Sequence, residues 1–420
     1  MIKAVTGTRD ILPSEIARWN YLQSIVESVF SKFNYKEIRT PIFEETALFA
    51  RGIGEATDIV SKEMYTFFDR SEESITLRPE MTAGVVRALV EHSLDKKQSL
   101  NKLFYNGPMF RQERPQAGRF RQFHQFGAEA IGSNDPLLDA EIIIMACDIF
   151  SHLGLKNLIV KVNSLGIPES RENYKIILRK YIEPQLSELS SESKKRFDTN
   201  IMRIFDSKEE NDKKIMENAP LLIEYLDEES LQHFEKVKQA LLTSKIPFEI
   251  DSRLVRGLDY YTHTTFEVIS GSVGSQSALC GGGRYNGLVK ELGGGDIPGV
   301  GFAAGIERIL LACENEKSFT LEENKIDLFI VTIEKGLNKV AHKIAVDFRR
   351  KGLAVDIDYH DRSVKAQMRE ANRLNAKYVL FIGGDEYVKD EIVLKNMSNS
   401  EQKNFSKNDL DKIFASIKEN

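Results

Sequence analysis

Residues 103–132 commit this chain to a sheet. Two β-like runs, 103–110 and 120–130, flank a polar connection, 111–119, that carries Pro115 and Gly118. Strand-forming runs joined by such a loop read as a long hairpin. Its return strand holds His124, Gln125 and Glu129. Gln125 and Glu129 are four apart and share a face, whereas His124 looks the other way. A carboxylate and an amide on a sheet floor are costly to bury unless a polar ligand satisfies both. Arg111 and Arg119, at the two ends of the connection, could clamp a polyphosphate, because guanidinium forks match phosphate oxygens in pairs. A solvated, charge-rich hairpin is the plainer alternative, and His124 reads as a structural histidine.

The rest of the chain is organised around that hairpin. Ile16, Trp19, Leu22, Val26, Val29, Phe30 and Phe33 recur at helical spacing behind Pro13 and Ser14. A short extended segment follows at 35–42, then a helical stretch near 44–51, and 139–153 predicts a buried helix. Between about 168 and 245 charge is dense and glycine is absent, which predicts an inserted helical subdomain. Strand-like segments resume at 248–250 and 264–269, and glycine concentrates from Gly271 to Gly305. The polar stretch 315–325 predicts the main linker. Beyond it, strands near 326–333, 354–359 and 378–382 alternate with helices whose apolar faces include Leu337, Ile344 and Phe348. That alternation implies a small α/β domain with a largely parallel sheet.

Composition excludes more than it assigns. A chain of 420 residues, 41% hydrophobic and 29% charged, suits two or three soluble domains. No apolar run nears the ~18 residues needed to span a bilayer, and the start does not read as a secretory signal. Cys147, Cys280 and Cys313 form no C-x-x-C pair, which argues against a zinc ribbon or a disulfide framework. They read as small buried hydrophobes in a reducing compartment. The net charge of −5 is a weak veto on nucleic acid, since phosphate binding depends on local Lys and Arg patches.

Four further segments could carry chemistry. In 77–82, Glu80 and Thr82 would point to one side of an extended chain and could hold an ammonium group. The same residues also read as a helix start, with Pro79 in the first position and Glu80 beside the positive dipole end. In 254–263, Arg256, Asp259, Tyr260 and Tyr261 crowd a short segment next to a strand, although an aromatic rim of the core would look alike. In 278–287, Gly281, Gly282 and Gly283 precede Arg284 and Tyr285, allowing close backbone approach or simply a flexible loop. In 299–308 the first residues fit G-x-G-x-x-A, but a turn precedes them, not the apolar strand a dinucleotide site requires. They read as a strand running into a helix near Glu307, with Arg308 at the corner.

In this order, the segments resemble the histidyl-tRNA synthetase family over essentially the whole chain. Gly7-Thr8-Arg9-Asp10 with Pro13 looks like the family's start, 35–41 like class II motif 1, 110–132 like motif 2 and 299–308 like motif 3. The Arg256 and Gly282 segments are similar to two stretches that distinguish the histidine enzymes. The family's glycine after Arg-Pro-Glu is Met81 here. The resemblance implies an α+β fold: a mixed, mainly antiparallel class II sheet flanked by helices, an inserted helical domain and a C-terminal anticodon-binding α/β domain. The expected domains are 1–325, with the insertion at about 168–245, and 326–420.

It also implies roles. Glu80, Thr82 and Gln125 would hold the α-ammonium of L-histidine. Glu129 and Tyr261 would pair with the imidazole nitrogens, with Tyr260 and Tyr285 lining the pocket. Arg111 and Arg256 would contact the α-phosphate and the carboxylate and act as the catalytic groups. Glu113, Phe123 and Arg308 would bind adenine, Arg119 the distal phosphates, and Gln116 would approach the acceptor end of the histidine tRNA. ATP with Mg²⁺, a homodimer, a cytoplasmic location, no membrane and no structural metal complete the expectation, and no segment looks like an editing domain. Two rivals share the fold. One is the regulatory paralogue serving ATP phosphoribosyltransferase, which lacks the anticodon module; the other is an RNA-binding or stress-sensing module on a dead synthetase fold.

Overall fold

The computed structural model describes residues 2–54, 57–115, 118–276, 278–319 and 325–418. Its first helix, Pro13–Lys32, begins on a proline, whose missing N–H is no loss there, and carries Lys32 near the negative end of the dipole. The chain leaves it through Asn34, at a left-handed φ of 62°. The Asn34 amide donates to the Ser31 carbonyl at 3.0 Å and the Tyr35 amide to that of Phe30 at 2.9 Å. These bonds satisfy two terminal carbonyls and turn Tyr35 back over Phe30. The next residues, β1 (Lys36–Glu37), are thereby delivered to the sheet.

A small antiparallel sheet follows, made of β2 (Phe43–Glu45), β3 (Tyr65–Phe68) and β4 (Ser74–Leu77) in the order β2-β4-β3. The predicted hairpin is β5 (Asn101–Phe110) and β6 (Gln122–Ile131), paired antiparallel over their whole length. With β7 (Leu158–Ser164), β8 (Phe248–Ile250), β9 (Thr262–Ser270), β10 (Ala278–Arg284) and β11 (Gly299–Gly305) they form an eight-stranded sheet, ordered β1-β5-β6-β11-β10-β9-β7-β8. Only the outer pairs β1–β5 and β7–β8 are parallel, so the expected mainly antiparallel sheet is what the chain forms.

Phe126, Ala128, Phe302, Phe266 and Val268 pack with residues of helices Pro13–Lys32, Pro136–His152 and Ile306–Glu316 in one core. Phe30 stacks on Phe104 at 4.7 Å and meets Phe126 edge-on at 6.1 Å. Each phenylalanine fully buried this way contributes ~2–3 kcal/mol. The opposite face of the sheet holds the polar floor described below.

Between β7 and β8 lie the helices Pro168–Ile182, Ser191–Thr199, Glu210–Glu217 and Glu228–Thr243, joined through the 3₁₀ helices Glu183–Glu188, Ile201–Asp206 and Leu222–Tyr225. Asp212 knots them: its carboxylate accepts from the hydroxyls of Ser190 at 2.6 Å, Ser193 at 2.5 Å and Ser207 at 2.6 Å. Burial works against that charge, but the donors hold the carboxyl down to about 2.

The chain divides into two compact units, Met1–Thr320 and Leu321–Asn420. In the second, β12 (Leu328–Thr332), β13 (Val355–Ile357), β14 (Tyr378–Ile382), β15 (Glu391–Asn396) and β16 (Gln402–Ser406) take the order β13-β12-β14-β15-β16. The expectation of a largely parallel sheet needs correction. β13, β12 and β14 are parallel, but β15 and β16 add an antiparallel hairpin. β16 is an edge strand with exposed Gln402, Lys403 and Asn404, so it lacks the apolar alternation that would announce it. Among the described residues no helix is long and apolar enough to cross a membrane.

Candidate functional site

Directly opposed residues on antiparallel strands share a face. Glu129 on β6 is in register with Gly301 on β11, Gly283 on β10 and Thr265 on β9; two residues along, Gly127 aligns with Ala303, Gly281 and Glu267. The middle of this floor is therefore nearly bare, and its glycines clear room for particular side chains. A Cβ on Gly281 would stand 2.5 Å from the Arg256 guanidinium, and one on Gly301 would collide with the Glu129 carboxylate. The three glycines at 281–283 form a strand, and the flexible-loop alternative drops out.

Above the floor opens a cavity of about 620 Å³. At one end, the buried Glu129 accepts from the hydroxyls of Thr82 at 2.7 Å, Tyr105 at 3.2 Å and Tyr285 at 2.6 Å. Burial pushes its carboxyl up to about 8; the hydroxyls oppose the shift and the Glu80 charge adds to it. Tyr260 packs against Tyr261 at 4.7 Å and edge-on to Tyr285 at 5.8 Å. Tyr285 is held from behind, because its neighbour Arg284 is fully buried against Asp139 and the Ser133 carbonyl. The Gln125 Oε1 is buried without a partner among the described residues.

Glu80 and Thr82 are close together, though not in the extended chain that their spacing suggested. Thr82 opens helix Thr82–Glu91, and the Glu80 carboxylate accepts from the amides of Thr82 at 2.7 Å and Ala83 at 3.0 Å. Pro79 lies outside the helix, so the helix-start reading holds with its first residue moved to Thr82. Burial raises the Glu80 pKa against those two amides. Arg78 pins this turn to the hairpin, donating to the Pro108 carbonyl at 2.9 Å and the Thr40 carbonyl at 2.9 Å.

The other end is cationic. Arg111 donates to the Pro79 carbonyl at 2.9 Å and lies over the Phe123 ring at 5.3 Å. Arg119 pairs with Glu113 at 3.0 Å. Arg308 bonds the Ala278 carbonyl at 3.1 Å; burial, then neighbouring Arg119, lowers its pKa. Arg256 is paired with Glu267, and its Nε is buried without a partner among the described residues. His124 faces away, as its position in the strand requires, and bonds Glu307 through its amide and Nδ1, each at 3.0 Å, beneath the edge of Trp19.

Glu80, Thr82, Arg111, Glu113, Arg119, Phe123, Gln125, Glu129, Arg256, Tyr260, Tyr261, Tyr285 and Arg308 all line this one cavity. Gln116 lies outside the described residues. Sequence reasoning passed over Tyr105, Glu267, Asp206 and Lys208. Glu267 did leave a trace, as the one carboxylate in the otherwise uncharged or histidine-bearing run 262–270. Asp206 and Lys208 come from the inserted helices and reach the cavity wall by tertiary placement alone.

Comparison with known proteins adds independent findings. The family model for histidyl-tRNA synthetase matches residues 7–309, and that for an anticodon binding domain matches 327–419. The chain is 50% identical over 400 residues to a histidine–tRNA ligase of Geobacillus sp. (strain WCH70), covering 94% of each chain. The structure of apo S. aureus histidyl-tRNA synthetase superposes with a TM-score of 0.83 at 42% identity, covering 99% of this chain and 100% of that one. An ATP phosphoribosyltransferase regulatory subunit/histidyl-tRNA synthetase from Bacillus halodurans C shares the fold at 20% identity and a TM-score of 0.64, over 88% of this chain and 96% of its own.

Proposed function

The chain belongs to the histidyl-tRNA synthetase family, and from that premise we propose that it activates L-histidine with ATP and transfers it to the 3′-terminal adenosine of the histidine tRNA. The observation that carries this reading is the single cavity with a buried acid at one end and four arginines at the other. Glu129 and Tyr261 pair with the two imidazole nitrogens, while Tyr260 and Tyr285 wall the ring. Glu80, Thr82 and the unpartnered Gln125 carbonyl take the α-ammonium. A competing amino acid denies Tyr261 a ring nitrogen and leaves Glu129 with only its three hydroxyl donors, and such hydrogen-bonding pockets reject analogues by ~10⁴-fold or more.

The histidine carboxylate attacks the α-phosphorus of ATP in line and pyrophosphate departs; a hydroxyl of the tRNA's terminal ribose then displaces AMP. Arg111 and Arg256 hold the carboxylate and the α-phosphate, and fixed cations supply most of the stabilisation. Glu113, Phe123 and Arg308 take adenine, Arg119 the distal phosphates, and Gln116 the acceptor end. Mg²⁺ arrives with the nucleotide. The carboxylates beside the arginines, Glu113 and Glu267, are already paired with Arg119 and Arg256, a donor set that does not fit a resident ion.

Residues 1–325 make up the catalytic domain, with the helical insertion at about 168–245, and 326–420 the anticodon-binding domain. The site calls for the cytoplasm, where its three substrates meet. Histidine-dependent exchange of pyrophosphate into ATP tests the activation step on which the reading depends, and charging of the histidine tRNA tests the transfer; a purified chain that exchanges nothing, or exchanges equally with other amino acids, refutes it. The regulatory paralogue and a dead synthetase fold both predict no exchange.

Gly281→Ala should push the Arg256 guanidinium off its seat, lowering exchange turnover ~10–100-fold while KM for histidine stays within about threefold; steady-state exchange kinetics check it. We also place a homodimer interface on one face of the small sheet, where Phe43 is 55% and Phe67 46% exposed and the register puts both on the same side. Patches of such apolar residues mark association surfaces. Light scattering behind size exclusion should show a dimer for the native chain and a monomer for Phe43→Glu with Phe67→Glu.

A further inference from the structure

Arg256 enters the cavity with one side-chain anchor. Its terminal nitrogen is paired with Glu267, its Nε has no partner among the described residues, and its other flank lies over Gly281, where a Cβ would come within 2.5 Å. Burial works against its charge, while Glu267 and the neighbouring tyrosines hold its pKa above the ordinary value. Glu267 stands on β9 directly across from Gly281, on the same bare floor, and lines the same cavity. We propose that Glu267 is the positioning residue of Arg256: it fixes the guanidinium over the floor before substrates arrive and shares it with the α-phosphate afterwards.

The inference rests on the reading of the cavity given above. Two opposed effects follow from the geometry. The carboxylate aligns a side chain with several rotatable bonds, so the cation is in place when charge develops in the transition state. The same carboxylate is a fixed negative charge in a polyphosphate site, and it opposes nucleotide binding at close range. Alignment and repulsion depend on different properties of the residue, reach and charge, and two substitutions separate them.

Glu267→Asp keeps the charge and withdraws it by one methylene. Turnover should fall at least ~10-fold while KM for ATP stays within about twofold of the native value. Glu267→Gln keeps the reach and an acceptor oxygen but removes the charge. KM for ATP should fall about threefold, with turnover several-fold lower. Both are measured by histidine-dependent pyrophosphate exchange across ATP concentrations at saturating histidine, alongside thermal melting. The crossed pattern, turnover alone in one variant and KM lowered in the other, is the result expected. Native kinetics in both variants would overturn the proposal, and so would equal losses in both that track a lowered melting temperature. Native enzyme without exchange would sink the functional reading itself, a separate outcome.

Discussion

Arg256→Ala should lower histidine-dependent pyrophosphate exchange ~10²–10³-fold and leave a folded protein. A group that meets charge growing in the transition state is worth ~2.7–4 kcal/mol, which is that factor in rate. In the proposed reading Arg256 meets that charge; it lines the same cavity as Arg111 and lies above the bare strand at Gly281. The fold does not lean on it comparably. The side chains of Arg256 and Glu267 are 22% and 21% exposed, so Glu267, once alone, can take on water. Exchange kinetics and circular dichroism read the two halves of this result. Loss of most helix signal, or retention of most exchange, would contradict it.

Glu129→Gln should abolish histidine activation by at least ~10³-fold and yet raise resistance to heat at alkaline pH. The activity loss follows from the hydrogen-bond inventory. A buried carboxyl can release its proton to a bound imidazole and become its charged partner, whereas an amide cannot, and mismatched buried polar groups are expensive. The stability gain has a definite sign. Burial raises the Glu129 carboxyl to about 8, far above an unfolded glutamate near 4.3. Between those values the folded state binds the proton more tightly than the unfolded one, so stability is lost as pH rises through that window. Near pH 4 the carboxyl is largely protonated in folded and unfolded chains alike, so native and variant differ little. Near pH 9 the native chain buries a charge that the variant does not. The melting-temperature difference should therefore be small at about pH 4, grow through about pH 8 and level off above it. A constant difference across that range would show that Glu129 does not titrate there.

These predictions trace back unequally to the sequence. Period-two alternation put Gln125 and Glu129 on one face of β6 and His124 on the other, and the structure keeps that arrangement. The motif segments likewise converge, because each lies on or beside a strand of one sheet. Registry between strands remote in sequence was not legible. Gly127, Ala303, Gly281 and Glu267 form one row through pairings made across the chain. Nothing local to Glu267 names Arg256 as its partner, and Tyr105 meets Glu129 by crossing the same hairpin.

Local competition explains the remaining differences. The spacing of Glu80 and Thr82 suits an extended chain, but the free amides of Thr82 and Ala83 draw the Glu80 carboxylate into a helix start. The closing hairpin of the second unit was missed because β16 turns polar side chains to solvent, where no apolar period can form.

A crystal structure with a non-hydrolysable histidyl-adenylate analogue tests the central claim most directly. The imidazole should lie between Glu129 and Tyr261, with the phosphate within hydrogen-bond distance of Arg256 and Arg111. An analogue bound with its ring away from Glu129, or with its phosphate touching neither arginine, would contradict the account.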